Sequence, residues 1–168
     1  NLLEGMQGGF NSTSAQHACE ILHRSSSASA VAITDTENIL GYCGTGEDSL
    51  PHGISPLRTE ATRESLKDGK TRVLNSPEEV GLPTKTRGIK AAIIVPLKIG
   101  KSIVGTLKFY YPSASRITET QVSIAEGFAQ LIATQIAAME LEEQKKLATS
   151  MELKALQSQI NPHFLFNT

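Results

Sequence analysis

Between Thr118 and Pro162 the chain contains no proline and only one glycine, Gly127. No other stretch restricts the possible folds as much. A single helix of about 44 residues would run roughly 65 Å at 1.5 Å per residue, well beyond a domain of this size. Thr118 with Gln121 reads as the capping box that opens it. Ala125, Phe128, Ile132, Ile136 and Met139 recur at 3-4 spacing, and Phe128 and Ile132 are expected to pack on the sheet of their own domain. Past Met139 the helix must leave that domain. Glu140, Glu142, Glu143, Lys145 and Lys146 mark a solvated stretch, after which Leu147, Met151, Leu153, Leu156 and Ile160 resume an apolar side. Such a side calls for a partner helix, and the interruptions at Glu143 and Lys146 make pairing through this region alone weak.

The helix runs into Asn161-Pro162-His163-Phe164. Pro162 has no N–H to give the Ser158 carbonyl, so a kink or a restart is expected there. A restart would make Asn161 the N-cap, Pro162 the first helical residue and His163 part of the new first turn. An imidazole at that position is biased toward its neutral, nucleophilic form, and a phosphate on it would meet favourable backbone dipoles. The plainer alternative is an ordinary histidine in a frayed turn. The run LKALQSQINPHFLFNT resembles the phosphoacceptor segment of the LytS-type sensor histidine kinases. The resemblance implies that His163 accepts the γ-phosphoryl of ATP and passes it to a response regulator of LytTR type, with Pro162 and Asn161 positioning it. It also implies Mg-ATP as cofactor of the complete kinase, though none for this chain by itself, and a homodimer. The parent protein would be bacterial and membrane-bound, with this chain in its cytoplasmic portion.

The 168 residues suit one domain plus an appendage. A net charge of −1 gives no sign of nucleic-acid binding. Cys19 and Cys43 belong to no CxxC or zinc-type spacing and read as buried free thiols of a reducing compartment. The longest apolar run weighed, Ala91 to Leu97, is far short of the ~20 residues of a spanning helix. Asn1 in place of methionine, and Phe164, Leu165 and Phe166 just before the last residues, read as the ends of a piece of a longer protein.

In chain order, Asn1 to Phe10 is a glycine-rich lead-in and Asn11 to Arg24 a modest helix. Ala30–Thr34 and Ile39–Cys43 read as a hairpin around a turn at Asp35–Asn38. Glu47 to Pro56 is a loop, Thr59 to Lys67 a helix closed by Asp68-Gly69, Lys70 to Asn75 a strand, and Ser76 to Gly88 another loop. Ala91–Ile99 and Ser102–Tyr110 form the strongest hairpin, turning at Gly100-Lys101. Gly105 within it signals a bulge or a close backbone approach. This order describes an α+β fold, an antiparallel sheet flanked by helices. It resembles a GAF domain from Asn11 to about Ser115, and IVPLKIGKSIVGTLKFYY is similar to that family's hairpin. The expected division is a GAF-like sensor over 1–117, a packing and then dimerising signalling helix over 118–160, and a truncated phosphoacceptor segment over 161–168.

GAF domains bind small ligands under the loops on one sheet face, or bind nothing and serve as dimerising relays. The N-K-F-D-E signature of cyclic-nucleotide binders is absent from the sequence, so no cyclic nucleotide is assigned. Arg58, Thr59 and Arg63 lie where a ligand loop would be and suit an unidentified anionic ligand; solvated side chains on a helix face account for them equally well. His17, His23 and His52 show no metal-site spacing, so no metal is assigned. Gly44-Thr45-Gly46 lacks the following Lys-Ser/Thr of a phosphate loop. The chain is therefore expected to relay and accept phosphate without being a complete protein-histidine kinase. A stand-alone ligand-binding module and a ligand-free dimerisation module are the other two readings.

Overall fold

The computed structural model describes residues 10–46, 55–57, 59–82 and 88–167, with residues 55, 56 and 160–167 described by backbone alone. Helix α1 (Ser12–Ser25) is capped by Asn11, whose Oδ1 accepts from Ser14 N at 3.0 Å. Strands β1 (Ala30–Thr34) and β2 (Asn38–Gly44) follow as a hairpin, and β3 (Ser55–Pro56) adds a two-residue edge against Asn38 and Ile39. Helix α2 (Glu60–Asp68) ends on Gly69 in the left-handed region. Strand β4 (Arg72–Leu74), the single turn α3 (Pro77–Val80), β5 (Ala91–Ile99) and β6 (Ser102–Tyr111) lead through a short 3-10 turn to α4 (Glu119–Asn167). The six strands form one sheet in the order β3-β2-β1-β6-β5-β4, and every pairing is antiparallel.

Helices cover both faces of this sheet, which is why β5 is apolar from Ala91 to Leu97 rather than alternating. Val31, Ile33, Ile93, Val95, Leu107 and Phe109 point to α1 and α4. Their neighbours Ala30, Ala32, Ala92, Ile94 and Tyr110 point the other way, toward Ala61 of α2 and Val80 of α3. At the end of α2, Asp68 and Glu64 grip Arg72 of β4 and fix the helix to the sheet edge.

Two segments read as loops contain structure. Ser76 to Gly88 holds α3, where Ser76 Oγ accepts from Glu79 N at 3.3 Å and Pro77 occupies the first turn. One turn is too short to leave a periodic pattern. Within Glu47 to Pro56, β3 owes its existence to its partner β2 rather than to its own sequence. The lead-in Asn1 to Phe10, apart from Phe10, lies outside the described residues.

Helix α4 is longer than expected, 49 residues against about 44, and it does not break at Pro162. Asn161 is a helical residue rather than an N-cap. Proline removes one backbone bond, to Ser158, while the turns on either side keep theirs, so continuing through it costs less than ending the helix. Nor does the dipole of a new helix start act on His163. Ala125, Ala129, Ile132, Ala133 and Ile136 lie buried on the sheet, with Phe128 and Met139 partly buried beside them. By length and composition alone α4 is apolar enough to cross a membrane, contrary to the reading that no segment reaches that length. The sheet covers only one side of it here: Ala125, Ala129, Ile132 and Ile136 are buried, while Ile124, Leu131 and Leu141 are exposed.

Gly105 sits in the tightest packing of the sheet. A Cβ there would lie 2.0 Å from the Thr34 carbonyl oxygen, beside the irregularities in register at Ile33/Thr34 and Leu97/Lys98. A Cβ on Gly127 of α4 would meet nothing within 4 Å. Gly105→Ala should therefore lose about 2 kcal/mol or more of stability, while Gly127→Ala gains up to about 1 kcal/mol from helix propensity. Urea titration of both variants checks the contrast, and a neutral Gly105→Ala would contradict the geometry.

Candidate functional site

The sheet face toward α2 carries the chain's one deeply buried lysine among the described residues. Lys108 lies midway along β6, paired with Ala32 of β1 and Ile94 of β5. It is 3% exposed. Its Nζ donates to Thr62 Oγ1 at 3.2 Å and stands 5.6 Å from the centre of the Tyr110 ring. Thr62 in turn shares a 2.5 Å hydrogen bond with Thr59. One register step along, the Thr34 and Thr106 hydroxyls bond to each other at 2.7 Å. The rings of Tyr110 and Tyr42 tilt together at 6.0 Å, and Tyr42 Oη donates to the Thr45 carbonyl.

Burial pushes the Lys108 ammonium down from its ordinary value to about 8, and no neighbouring charge among the described residues opposes this. Burial likewise raises the Tyr110 hydroxyl, so it remains protonated beside the lysine. The site is thus a cation backed by hydroxyls and aromatic rings, set above a floor of alanines.

The residues singled out in the sequence fall in three places. Thr59 belongs to this site, as the buried N-cap residue of α2 bonded to Thr62. Arg63 is exposed, and its guanidinium donates to the Leu57 carbonyl at 2.9 Å, so it serves the segment before α2. Arg58 lies outside the described residues. Asn161, Pro162 and His163 lie in the last turns of α4, far along the helix from the sheet, with side chains outside the described residues. Cys19 is buried and Cys43 half-buried; neither is joined in a disulfide, and Cys43 Sγ lies 3.7 Å from His23 Nδ1.

Two features went unread in the sequence. One is Lys108 itself, whose signal was a single charge inside VGTLKFYY, where strand residues on both sides are apolar. The other is a second apolar stripe on α4. Ile124, Leu131 and Ala138 recur every seven residues, each followed three residues on by Gly127, Thr134 or Leu141, and all six are exposed. They lie across the helix from the buried Ala125, Ala129, Ile132 and Ile136.

Comparison with known proteins agrees with this architecture. The family model for the GAF domain matches residues 12–137, and that for the histidine kinase matches residues 151–168. The chain is 37% identical over 162 residues to the sensor protein LytS of Streptococcus agalactiae serotype V, covering 96% of this chain and 28% of that protein. It is 38% identical over 162 residues to the sensor histidine kinase/phosphatase LytS of Staphylococcus aureus strain Mu50, covering 95% and 27%. The chain thus spans little more than a quarter of the length of these relatives. Among solved structures, the GAF-B domain of DevS from Mycobacterium smegmatis superposes with a TM-score of 0.63 at 18% identity, over 78% of this chain and 96% of that one. The type II free methionine-R-sulfoxide reductase of Thermoplasma acidophilum gives 0.61 at 13% identity, over 83% and 97%. At these identities the structures establish the fold.

A buried, unneutralised lysine weakens a fold, and its titration gives the expected pH dependence. Below about pH 8 Lys108 is charged in both folded and unfolded chains, so the folded state carries the whole cost of burying the charge. Between about 8 and 10.5 the folded chain has released the proton while the unfolded chain still holds it, and stability rises with pH. Lys108→Met should accordingly stabilise the chain by about 1–3 kcal/mol at pH 7, with the gain fading as pH approaches 10.5. Denaturant titrations of both proteins at pH 7 and pH 10 measure it; a destabilised Met variant at pH 7 would show the charge to be compensated.

Proposed function

The chain belongs to the GAF domain family, and from that premise we propose that it is the sensing and relay portion of a two-component sensor histidine kinase. One observation carries the reading: the match to the GAF domain and the match to the histidine kinase share a single helix, Glu119–Asn167. The proposed division of labour gives sensing to residues 1–117, relay and pairing to 118–160, and phosphate acceptance to 161–168. His163 is the proposed acceptor, with Asn161 and Pro162 setting the backbone around it. The proposed partners are a second copy of the chain and a response regulator, of LytTR type by resemblance. The setting is the cytoplasmic side of a bacterial membrane. Mg-ATP would enter through a catalytic domain outside these residues.

Phosphoryl transfer needs a nucleophile in line with the γ-phosphate, a bound metal–nucleotide and stabilisation of the charge that moves. His163 supplies the first. A ring nitrogen would attack the γ-phosphorus, ADP would leave, and the phosphorus–nitrogen bond formed is acid-labile. With Mg-ATP alone the chain should incorporate no phosphate; supplied in trans with a histidine-kinase catalytic domain it should take up phosphate at one acid-labile position. His163→Gln should abolish the signal with the sheet domain still folded, and Pro162→Ala should lower the rate without removing it. Uptake by the Gln variant would move the acceptor to another histidine.

Pairing follows from α4. Leu141, Leu147, Met151, Leu153 and Leu156 are each more than half exposed, and the stripe through Ile124 and Leu131 continues the apolar side back along the domain. Two parallel copies would bury both lengths together. Light scattering should find a dimer that weakens when the chain is ended at Met139 and weakens further with Leu131→Asp. Monomers throughout at high micromolar concentration would remove dimerisation from the reading.

A further inference from the structure

Two thiols and an imidazole gather where α1 crosses β2, and the phosphoacceptor chemistry proposed for His163 uses none of them. The register of the two elements brings them together. An added Cβ on Gly41 would lie 2.7 Å from the Ala15 backbone, so α1 and β2 touch there. At the far end of the contact His23 Nδ1 stands 3.7 Å from Cys43 Sγ, so the two elements run in the same direction. Four residues of a helix advance about 6 Å and two residues of a strand about 6.7 Å. Cys19, one turn after Ala15, and Cys43, two residues after Gly41, therefore advance along this contact together, and both pack in the core that faces α1. His23 Nε2 would lie 2.9 Å from a Cβ on Gly44, so the ring rests over a position with no side chain to displace it. Among the described residues no three such groups converge on a metal site.

The two thiols sit in opposite environments. Cys19 is fully buried, and burial, with Cys43 adding to it, pushes its thiol up, so it stays protonated. Cys43 is only half-buried and has an imidazole at its sulfur to take the proton. A cysteine that merely fills space needs neither. We propose that Cys43 is a peroxide-reactive thiol, with His23 as its base and Cys19 as the resolving thiol that closes a disulfide between α1 and β2. His23 takes the Cys43 proton and the thiolate attacks one oxygen of hydrogen peroxide. The sulfur–oxygen bond forms as the oxygen–oxygen bond breaks, and hydroxide leaves as water with the proton from His23. Sulfur is oxidised by two electrons to a sulfenic acid, and the peroxide is reduced. The Cys19 sulfur then attacks the Cys43 sulfur. The disulfide forms as the sulfur–oxygen bond breaks, and the hydroxyl leaves with the Cys19 proton as a second water. The bond ties α1 to β2 on the sheet face that also carries α4.

Titration of the reduced whole chain with hydrogen peroxide tests this, with remaining thiols blocked by iodoacetamide and peptides mapped by mass spectrometry. One equivalent of peroxide should consume both thiols and join the peptides that hold Cys19 and Cys43 within one chain, and dithiothreitol should separate them again. Cys19→Ala should stop at a Cys43 sulfenic acid that dimedone traps. His23→Ala should slow the oxidation of Cys43 roughly tenfold or more at pH 7, and added imidazole should restore the rate, which a merely structural loss would not allow. Where Cys19→Ala does not fold, the bond mapped in the wild type decides. Oxidation of Cys43 that leaves Cys19 open to iodoacetamide overturns the resolving role, and so does a disulfide between two chains. An unchanged rate in His23→Ala overturns the base. Thiols that both survive excess peroxide overturn the site altogether. None of these results depends on phosphate uptake at His163, so this inference and the kinase reading fail separately.

Discussion

Every residue of β5 from Ala91 to Leu97 is buried, and a strand can be buried on both sides only if helices clad both faces of its sheet. The rest of the fold answers that requirement. Helices α1 and α4 close one face and α2 with α3 close the other, so consecutive residues of β5 and β6 serve different layers. Glycine is required where the layers come closest. At Gly41 an added Cβ would sit 2.7 Å from the backbone of Ala15, so α1 could not rest on β2 with any larger residue there. Gln16 completes that contact, its Oε1 accepting from Tyr42 N at 2.9 Å.

Most of this was legible because the signals were local. The hairpin of β5 and β6 announced itself through β-branched runs about Gly100, whose φ of 62° suits the turn, and Gly105 announced the close approach to Thr34. The packing of Phe128 and Ile132 followed from 3-4 spacing, and both lie against the core, Ile132 fully buried and Phe128 partly. What stayed hidden depended on partners distant in sequence. Strand β3 exists through pairing with β2, and α3 is held by caps around a single turn. Lys108 went unread because the cover over its side of β6 includes Thr62, 46 residues earlier. Pro162 misled in the opposite direction: of the kink or restart forecast there, the helix shows no restart.

Helix α4 has two duties that a shorter helix would not combine. Its first turns are core, with Ala125, Ala129 and Ile132 fixed on β5 and β6. Alanine at two of those positions lets the helix axis come close to the sheet, while Phe128 reaches the ring of Phe109 at 6.3 Å between centroids. Beyond Met139 the same helix has no domain beneath it, and its large apolar residues stand in solvent. Because one run of backbone hydrogen bonds spans both parts, a tilt or rotation imposed on the core end is carried to the far end, whereas a flexible linker would dissipate it.

The two faces of the sheet meet in the shortest covalent distance a strand allows. Lys108, facing α2, is followed directly by Phe109, which faces α4 and touches Phe128. A group that draws the Lys108 side chain in or pushes it out therefore acts on the backbone that carries Phe109, across a single peptide bond. Such a group changes the setting of α4 only by as much as its affinity differs between two arrangements of the sheet and helix. A buried ammonium provides for a large difference, since its desolvation is either offset by an opposite charge or borne by the fold. A carbon side chain of the same length at this position would carry no such desolvation cost.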